Sequence, residues 1–130
     1  MTEKLIDFET AVLAKEKGFN EDCNTHFENT GISFDSYGLS FKPNEDQHHE
    51  ILFARPTQSF LQKWLREIHD IHISVGNVYD DFIYWSFALS QQNKGVIIAF
   101  RLNDIYYSSY EEALEIALQE SLNLIQQHNL

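Results

Sequence analysis

The chain has 130 residues, 43% of them hydrophobic and 14% aromatic, and its nine basic and twenty acidic residues give a net charge of −11. This length predicts one domain, and the hydrophobic content is typical of a globular protein whose core needs neither a metal nor a disulfide. The acidic balance disfavours direct binding of duplex nucleic acid, which requires clustered Lys and Arg.

Cysteine content and hydropathy bear on the compartment. Cys23 is the single cysteine, so no intramolecular disulfide can form, which fits a reducing cytoplasm. Segment 1–7 lacks the apolar core of a signal peptide. No run reaches the roughly eighteen apolar residues of a transmembrane helix. We therefore expect a cytoplasmic protein without membrane association.

The start of the chain predicts a helix. Asp7 is placed to cap it, and Gly18 stands where a left-handed residue ends a helix. Segment 20–25 is typical of a turn or a short second helix.

Two short alternating runs, 32–34 and 39–41, then predict a hairpin around a turn at 35–38. A polar loop follows, and the apolar run 50–54 predicts a further short strand.

A second helix follows Pro56, with Thr57 placed as its N-cap. Apolar residues recur at helical spacing, and we expect them to face the core: Leu61, Trp64, Leu65 and Ile68. The polar residues between them are expected on the solvent side: Gln62, Lys63, Arg66 and Glu67.

Three strands are predicted next. Segment 71–75 alternates in polarity, and Gly76-Asn77 is expected to break it. Segment 82–89 is rich in residues that favour strands, the turn 91–95 follows, and 96–100 predicts the third strand. The short connections predict an antiparallel meander.

The last helix opens with Ser109 and Glu112 at capping-box spacing. Three small residues should let this helix approach the sheet closely: Ala113, Ala117 and Ser121. The predicted fold class is α+β, an antiparallel sheet of three or more strands with helices on one face. We predict a single domain, 1–130, that combines an N-terminal helix-and-hairpin region, 1–55, with an αβββα module, 56–130.

The strings Arg55-Pro-Thr-Gln-Ser-Phe-Leu-Gln-Lys-Trp-Leu-Arg-Glu67 and Tyr110-Glu-Glu-Ala-Leu-Glu115 resemble an uncharacterised family of small proteins from phages and prophages of Bacteroidetes. The matching segments are 56–67, 71–73, 110–118, 8–11 and 15–19. Segment 30–53 and the second strand of the module depart from the pattern. The family has no known activity, and the resemblance implies a mobile-element gene in a bacterial cytoplasm.

Two weaker resemblances concern the module. The order helix, three strands, helix is that of the double-stranded-RNA-binding domain, whose last helix grips phosphate with a Lys cluster. Glu111, Glu112 and Glu115 stand at those positions here, so the binding residues do not carry over. HicB-type antitoxin domains are also similar, because a Tyr-Glu-Glu-Ala-Leu-Glu helix ends their sheet.

No residue pattern predicts catalysis, a metal or another cofactor. His48 and His49 lie among acidic residues, but adjacent histidines in a polar loop usually point apart, which favours a solvated loop over a metal site. His69 and His72 flank a helix-to-strand turn and have no nucleophile string nearby, so we interpret them as structural. The acidic residues beside Cys23 should raise its pKa, as in a partly buried, unreactive thiol.

We predict that the chain is a non-enzymatic phage or prophage accessory protein. It would bind and inhibit a basic host protein that handles nucleic acid, such as a CRISPR effector or another nuclease, through acidic and aromatic residues. The predicted partner-binding residues are Glu111, Glu112, Glu115, Glu120, Tyr84, Trp85, Tyr106 and Tyr107. Tyr84 and Trp85 alternate in a strand, so one of them should be exposed. The alternative is an RNA-binding module that uses surface aromatics. An enzyme or metal protein built on the histidines is a third hypothesis.

Overall fold

A computed structural model describes residues 3–35, 43–44, 52–79, 83–92, 94–98 and 106–125. Its elements are α1 (Phe8–Glu16), β1 (Thr25–Glu28), β2 (Ser33–Asp35), β3 (Leu52–Ala54), α2 (Gln58–His69), β4 (His72–Tyr79), β5 (Ile83–Gln91), β6 (Gly95–Ile98) and α3 (Tyr110–Leu124). Three helices and two antiparallel three-stranded sheets confirm the α+β class within these residues.

The chain divides into two compact units, here called the N-terminal unit (1–57 with 126–130) and the C-terminal unit (58–125). The division after Thr57 falls close to the predicted start of the αβββα module. The order α2, β4, β5, β6, α3 confirms the composition of that module.

Helix α1 begins and ends where the sequence predicts. Asp7 occupies the N-cap position with an extended backbone, but its side chain makes no capping hydrogen bond. Gly18 has φ +96°, a conformation that glycine adopts without a steric cost, and its N–H donates to the Lys15 carbonyl. Ala11 and Ala14 form the buried side of this helix.

The hairpin of the N-terminal unit involves an earlier strand than expected. β1 pairs with β2, with Phe27 opposite Ser33, and Gly31 (φ +87°) lies in the turn between them. The predicted partner of β2, segment 39–41, lies outside the described residues. The run Asn-Thr-Gly before Ile32 is the turn signal that the prediction missed.

Side chains complete the backbone hydrogen bonding of this small sheet. β3 pairs with the other side of β1, which confirms the strand predicted at 50–54 for its described part. Buried Asn44 accepts from the Ala54 N–H at 2.7 Å and donates to the Phe19 carbonyl at 2.6 Å. Its amide thus acts as a one-residue extension of the sheet.

The C-terminal unit is a meander in the order β4-β5-β6. β4 pairs with β5 in continuous register from His72 opposite Ser90 to Tyr79 opposite Ile83. The expected break at Gly76-Asn77 is therefore wrong, because pairing with β5 carries the strand through both residues. Gly95, with φ +70°, begins β6 after the β5–β6 turn.

Helices α2 and α3 pack against this sheet and against each other. Leu61, Trp64 and Leu65 are buried as predicted, but Ile68 is 63% exposed. Ile68 lies in the last turn of α2, where the helical pattern alone does not guarantee that a neighbour covers the residue. The small residues of α3 that were expected to approach the sheet, Ala113, Ala117 and Ser121, are all fully buried.

The core of the C-terminal unit centres on Phe87, Leu89 and Ala117. Half-buried Ile73, Val75, Tyr107 and Ile116 pack around these three residues. Since Phe87 and Leu89 share the face of β5 that meets α3, the neighbouring even-numbered residues of the strand lie on the opposite face. No helix in the described residues is long and apolar enough to cross a membrane.

Candidate protein-binding surface

The first turn of α3 is built as a capped, acidic helix start. The Ser109 hydroxyl accepts from the Glu112 N–H at 3.1 Å, which confirms the predicted cap. The Glu112 carboxylate accepts from the Ser108 hydroxyl at 2.6 Å. Glu111 and Glu112 are exposed here, and Glu120 is exposed two turns further on. Negative charge at this end complements the helix dipole.

Glu115 does not belong to the exposed acidic group, and its prediction as a solvated partner-binding residue is corrected. It is only 4% exposed, and Gln58 of α2 donates to its carboxylate at 2.9 Å. The same Gln58 amide nitrogen donates to the Glu111 carbonyl at 2.9 Å. Because α3 contacts both α2 and the sheet, its buried side extends beyond the three small residues that were expected to approach the sheet.

The predicted aromatic residues lie on two faces of the sheet. Trp85 and Tyr107 exchange two backbone hydrogen bonds of 2.8 and 2.7 Å, and the Trp85 ring packs edge-on against Tyr110 of α3. Tyr84 and Tyr106 pair with ring centroids 5.6 Å apart and are 36% and 37% exposed. The expected alternation of Tyr84 and Trp85 is confirmed.

Half-buried Tyr107 connects the aromatic residues to the acidic helix. Burial raises the pKa of its hydroxyl, and the carboxylates of Glu120 and Glu112 raise it further. Backbone pairing of Trp85 with Tyr107, and the ring contact of Trp85 with Tyr110 of α3, place these aromatic residues beside the helix that carries Glu112 and Glu120. We call this region the acidic–aromatic surface and define it by Glu112, Glu120, Trp85, Tyr107 and the additional residue Tyr110.

Tyr110 was not predicted as a site residue, and it is 41% exposed. Its position in the sequence indicates exposure, because a residue directly after the cap of a helix is often left at the surface. Its edge contact with Trp85 depends on the fold and has no sequence signature.

His69 and His72 lie in two different environments at the α2–β4 turn. His69 packs against the Trp64 ring with centroids 4.7 Å apart, and burial lowers its pKa below 6.5. His72 contacts the Asp70 carboxylate at 2.8 Å, and that carboxylate also accepts from the Gln92 N–H at 2.8 Å. The His72 contact and the Gln92 bond lower the pKa of Asp70.

Asp70 therefore connects the α2–β4 turn to the β5–β6 turn. It has φ +56°, in the left-handed region that Asp tolerates better than most residues. Both His72 and Asp70 are about two-fifths exposed, and no cluster of three or more His, Cys, Asp or Glu suited to a metal ion occurs in the described residues. His48 and His49 lie outside those residues.

Cys23 is 7% exposed and is therefore buried more fully than the partly buried thiol that the sequence predicts. Burial raises the pKa of its thiol to about 12, with smaller contributions from Asp22 and Glu21. The thiolate is therefore scarce at neutral pH, and the folded protein presents an unreactive cysteine.

Comparison with known proteins gives no relative from which a function could be transferred. No protein-family model, no curated protein and no solved structure matches this chain.

Proposed function

We propose that this protein is a non-enzymatic binding protein whose acidic–aromatic surface engages a basic groove of a nucleic-acid-handling protein. The observation that carries the proposal is the exposure of Glu112 and Glu120 on α3, the helix whose first residue, Tyr110, packs edge-on against Trp85. A net charge of −11 adds long-range attraction to a basic partner.

The arrangement has the two components of a protein interface. Exposed carboxylates can accept hydrogen bonds from Arg and Lys that otherwise hold phosphate, and such bonds give specificity and fast association. Aromatic side chains next to them supply apolar area at low entropic cost, as in binding hot spots. The edge-on contact between Trp85 and Tyr110 restricts both rings, which lowers the conformational freedom left to lose when a partner covers them.

The proposal also includes a cellular setting and a class of partner. The resemblance to small phage and prophage proteins favours action in the cytoplasm of a bacterial host. A protein that occupies a nucleic-acid-binding channel there would inhibit the host protein that contains this channel. A CRISPR effector or another defence nuclease fits this description, since each must hold a polyanion in a basic channel.

The first test is co-purification from a Bacteroidetes host lysate, with and without nuclease treatment, washed over a range of salt. A stoichiometric basic protein should survive nuclease and be released by salt. Partners that disappear entirely after nuclease would overturn this proposal.

The second test changes the surface itself. The double variant Glu112→Gln/Glu120→Gln should weaken the recovered complex about tenfold and reduce its salt dependence. Glu16→Gln/Glu67→Gln is a matched control, because it removes two exposed carboxylates elsewhere. Equal loss of affinity in both double variants would assign the effect to net charge alone and would exclude the acidic–aromatic surface.

A second candidate is an RNA-binding module, favoured by the exposed Tyr84–Tyr106 pair on the opposite face of a sheet with the αβββα order. Bases of single-stranded RNA can stack on such rings, although binding also needs nearby cations. A gel shift with structured and single-stranded RNA at low salt tests this candidate. A shift that is lost in Tyr84→Ala/Tyr106→Ala would favour it over protein binding.

A further inference from the structure

Two tyrosines form a ring pair on the face of the C-terminal sheet opposite α3. The ring centroids of Tyr84 and Tyr106 lie 5.6 Å apart, and the ring planes are tilted by 38°. This separation falls within the range of about 4.5–7 Å that aromatic rings in direct contact adopt. Both side chains are also accessible, since Tyr84 is 36% and Tyr106 is 37% exposed. The pair therefore combines close contact with access for a reagent.

Backbone pairing beside the two rings keeps them close together. The residues that follow them, Trp85 and Tyr107, form an antiparallel bridge with two hydrogen bonds of 2.8 and 2.7 Å. In such a bridge Tyr84 and Tyr106 are diagonal neighbours on one face, at a distance that aromatic side chains can span. The contact between the two phenol rings therefore follows from the pairing of the backbone.

The neighbouring tyrosines contact rings of other kinds. Tyr107 stacks on Phe87 with centroids 6.2 Å apart, and Tyr110 packs edge-on against Trp85. Coupling of two phenols requires a tyrosine on each side of the contact. Among these three ring pairs, only Tyr84 with Tyr106 meets that requirement.

We propose that Tyr84 and Tyr106 are a site of oxidative cross-linking, at which hydrogen peroxide and a haem peroxidase join the two rings as dityrosine. Each phenol gives up one electron and its hydroxyl proton and becomes a phenoxyl radical. The two radicals form one carbon–carbon bond between ring positions ortho to the oxygens. The hydrogens on these carbons then move to the oxygens, which restores both phenols. Hydrogen peroxide takes up the two electrons and the two protons and is reduced to two molecules of water.

The cross-link joins the segment that leads into α3 to the central strand β5. It closes the loop between residues 84 and 106, and such a link stabilises a protein mainly by restricting its unfolded chain. Because Trp85 and Tyr107 are already paired, the bond can form without a large change in the native backbone. The cross-linked chain should therefore have a Tm about 10 °C higher than the unmodified chain. A Tm that does not rise would contradict capture of the native ring contact.

Limited oxidation of the purified chain with hydrogen peroxide and a haem peroxidase is the direct test. We expect a monomer that has lost the mass of two hydrogen atoms, shows dityrosine fluorescence and yields a proteolytic product in which Tyr84 is joined to Tyr106. The yield of this monomer should not depend on protein concentration. It should fall about tenfold in urea that unfolds the chain, because the native contact holds the rings together. Cross-links that form only between chains, or equally well in the unfolded chain, would overturn the proposal.

Substitution distinguishes this pair from the other tyrosines. Tyr84→Phe and Tyr106→Phe each remove one phenol and keep the ring, so each should abolish the cross-link within the chain. Tyr110→Phe is the matched control, because Tyr110 is similarly exposed, at 41%, and has Trp85 as its ring partner. This control should keep the full yield. A cross-link that persists in either single variant, or that is lost in Tyr110→Phe, would contradict the assignment. These assays use the purified chain alone and do not depend on the proposed partner.

Discussion

The two units carry nearly equal charge, but different kinds of contact stabilise the interior of each one. Residues 1–57 have five basic and eleven acidic residues, a net charge of −6, and residues 58–125 have four and nine, a net charge of −5. The C-terminal unit relies on a long β4–β5 ladder with helices packed against it. Strands of only three or four residues form the sheet of the N-terminal unit.

In the N-terminal unit, side-chain contacts provide the stabilisation that the β4–β5 ladder provides in the C-terminal unit. Arg55 donates to the Ile6 carbonyl at 2.8 Å while its guanidinium lies 4.5 Å from the centre of the Phe27 ring. Lys15 donates to the Leu52 carbonyl at 2.8 Å, and burial lowers its pKa. Phe8 contacts both Phe27 and Phe53 edge-on. Short strands are therefore stabilised by individual polar and aromatic contacts, each open to a single substitution.

The largest effect is expected in the core of the C-terminal unit. Leu89 is fully buried in the central strand, so Leu89→Ala should cost about 3 kcal/mol of unfolding free energy. Leu52→Ala in the N-terminal unit should cost about 2 kcal/mol, because β3 is short and can relax around the cavity. Urea denaturation measures both values. A larger loss at Leu52 would reverse the comparison.

Substitution of Asn44 tests whether side-chain hydrogen bonds stabilise the N-terminal unit in the way that a strand ladder stabilises the C-terminal unit. Asn44→Ala should cost about 2 kcal/mol, because it leaves the Ala54 N–H and the Phe19 carbonyl without this partner. Asn44→Asp keeps an acceptor for Ala54 but loses the donor to Phe19, so it should not restore full stability. Full stability of Asn44→Ala in thermal unfolding would show that these bonds contribute nothing net.

Arg55 should have a smaller effect. Arg55→Leu removes the bond to Ile6 and the contact with Phe27, and should cost about 1 kcal/mol. Arg55→Lys keeps the charge but not the planar group or its Nε–H, so it should recover only part of that loss. Complete recovery by Lys in the same denaturation assay would assign the effect to charge alone.

The smallest effect is a pH dependence in the C-terminal unit. Because burial lowers the pKa of His69 below 6.5, the unfolded chain takes up this proton before the folded chain does. The stabilising contribution is fully present above pH 6.5 and is lost as the pH falls through the lowered value of the folded state. An NMR titration of the His69 ring and thermal unfolding at pH 5 and 7 measure it. His69→Gln should flatten the profile, and an unchanged profile would assign it to other groups.

Periodicity was sufficient to predict most of the C-terminal unit. The helical spacing of Leu61, Trp64 and Leu65 and the Ser109 cap were confirmed. Local rules failed where pairing partners decide the outcome. Gly76-Asn77 breaks strands on average, but the facing residues of β5 hold it in β4.

The candidate surface could be predicted only in part. Exposure of Glu112 and Glu120 follows from helical position, whereas burial of Glu115 depends on Gln58, which is far away in sequence. A pattern search over one helix cannot detect a carboxylate that a second helix covers. In the N-terminal unit the role of Asn44 was equally hidden, since its partners lie 25 and 10 residues away.

Because its thiol is buried, Cys23 can report local unfolding of the unmodified chain. Cys23 is the single cysteine and belongs to the N-terminal unit, where its high pKa and burial keep it from alkylating reagents. Labelling should therefore occur only from molecules in which this unit has opened, and its rate reports how often that happens. The ratio of the labelling rates of Asn44→Ala and the wild-type chain would give the change in opening free energy that the Asn44 amide controls, without any introduced dye or tag.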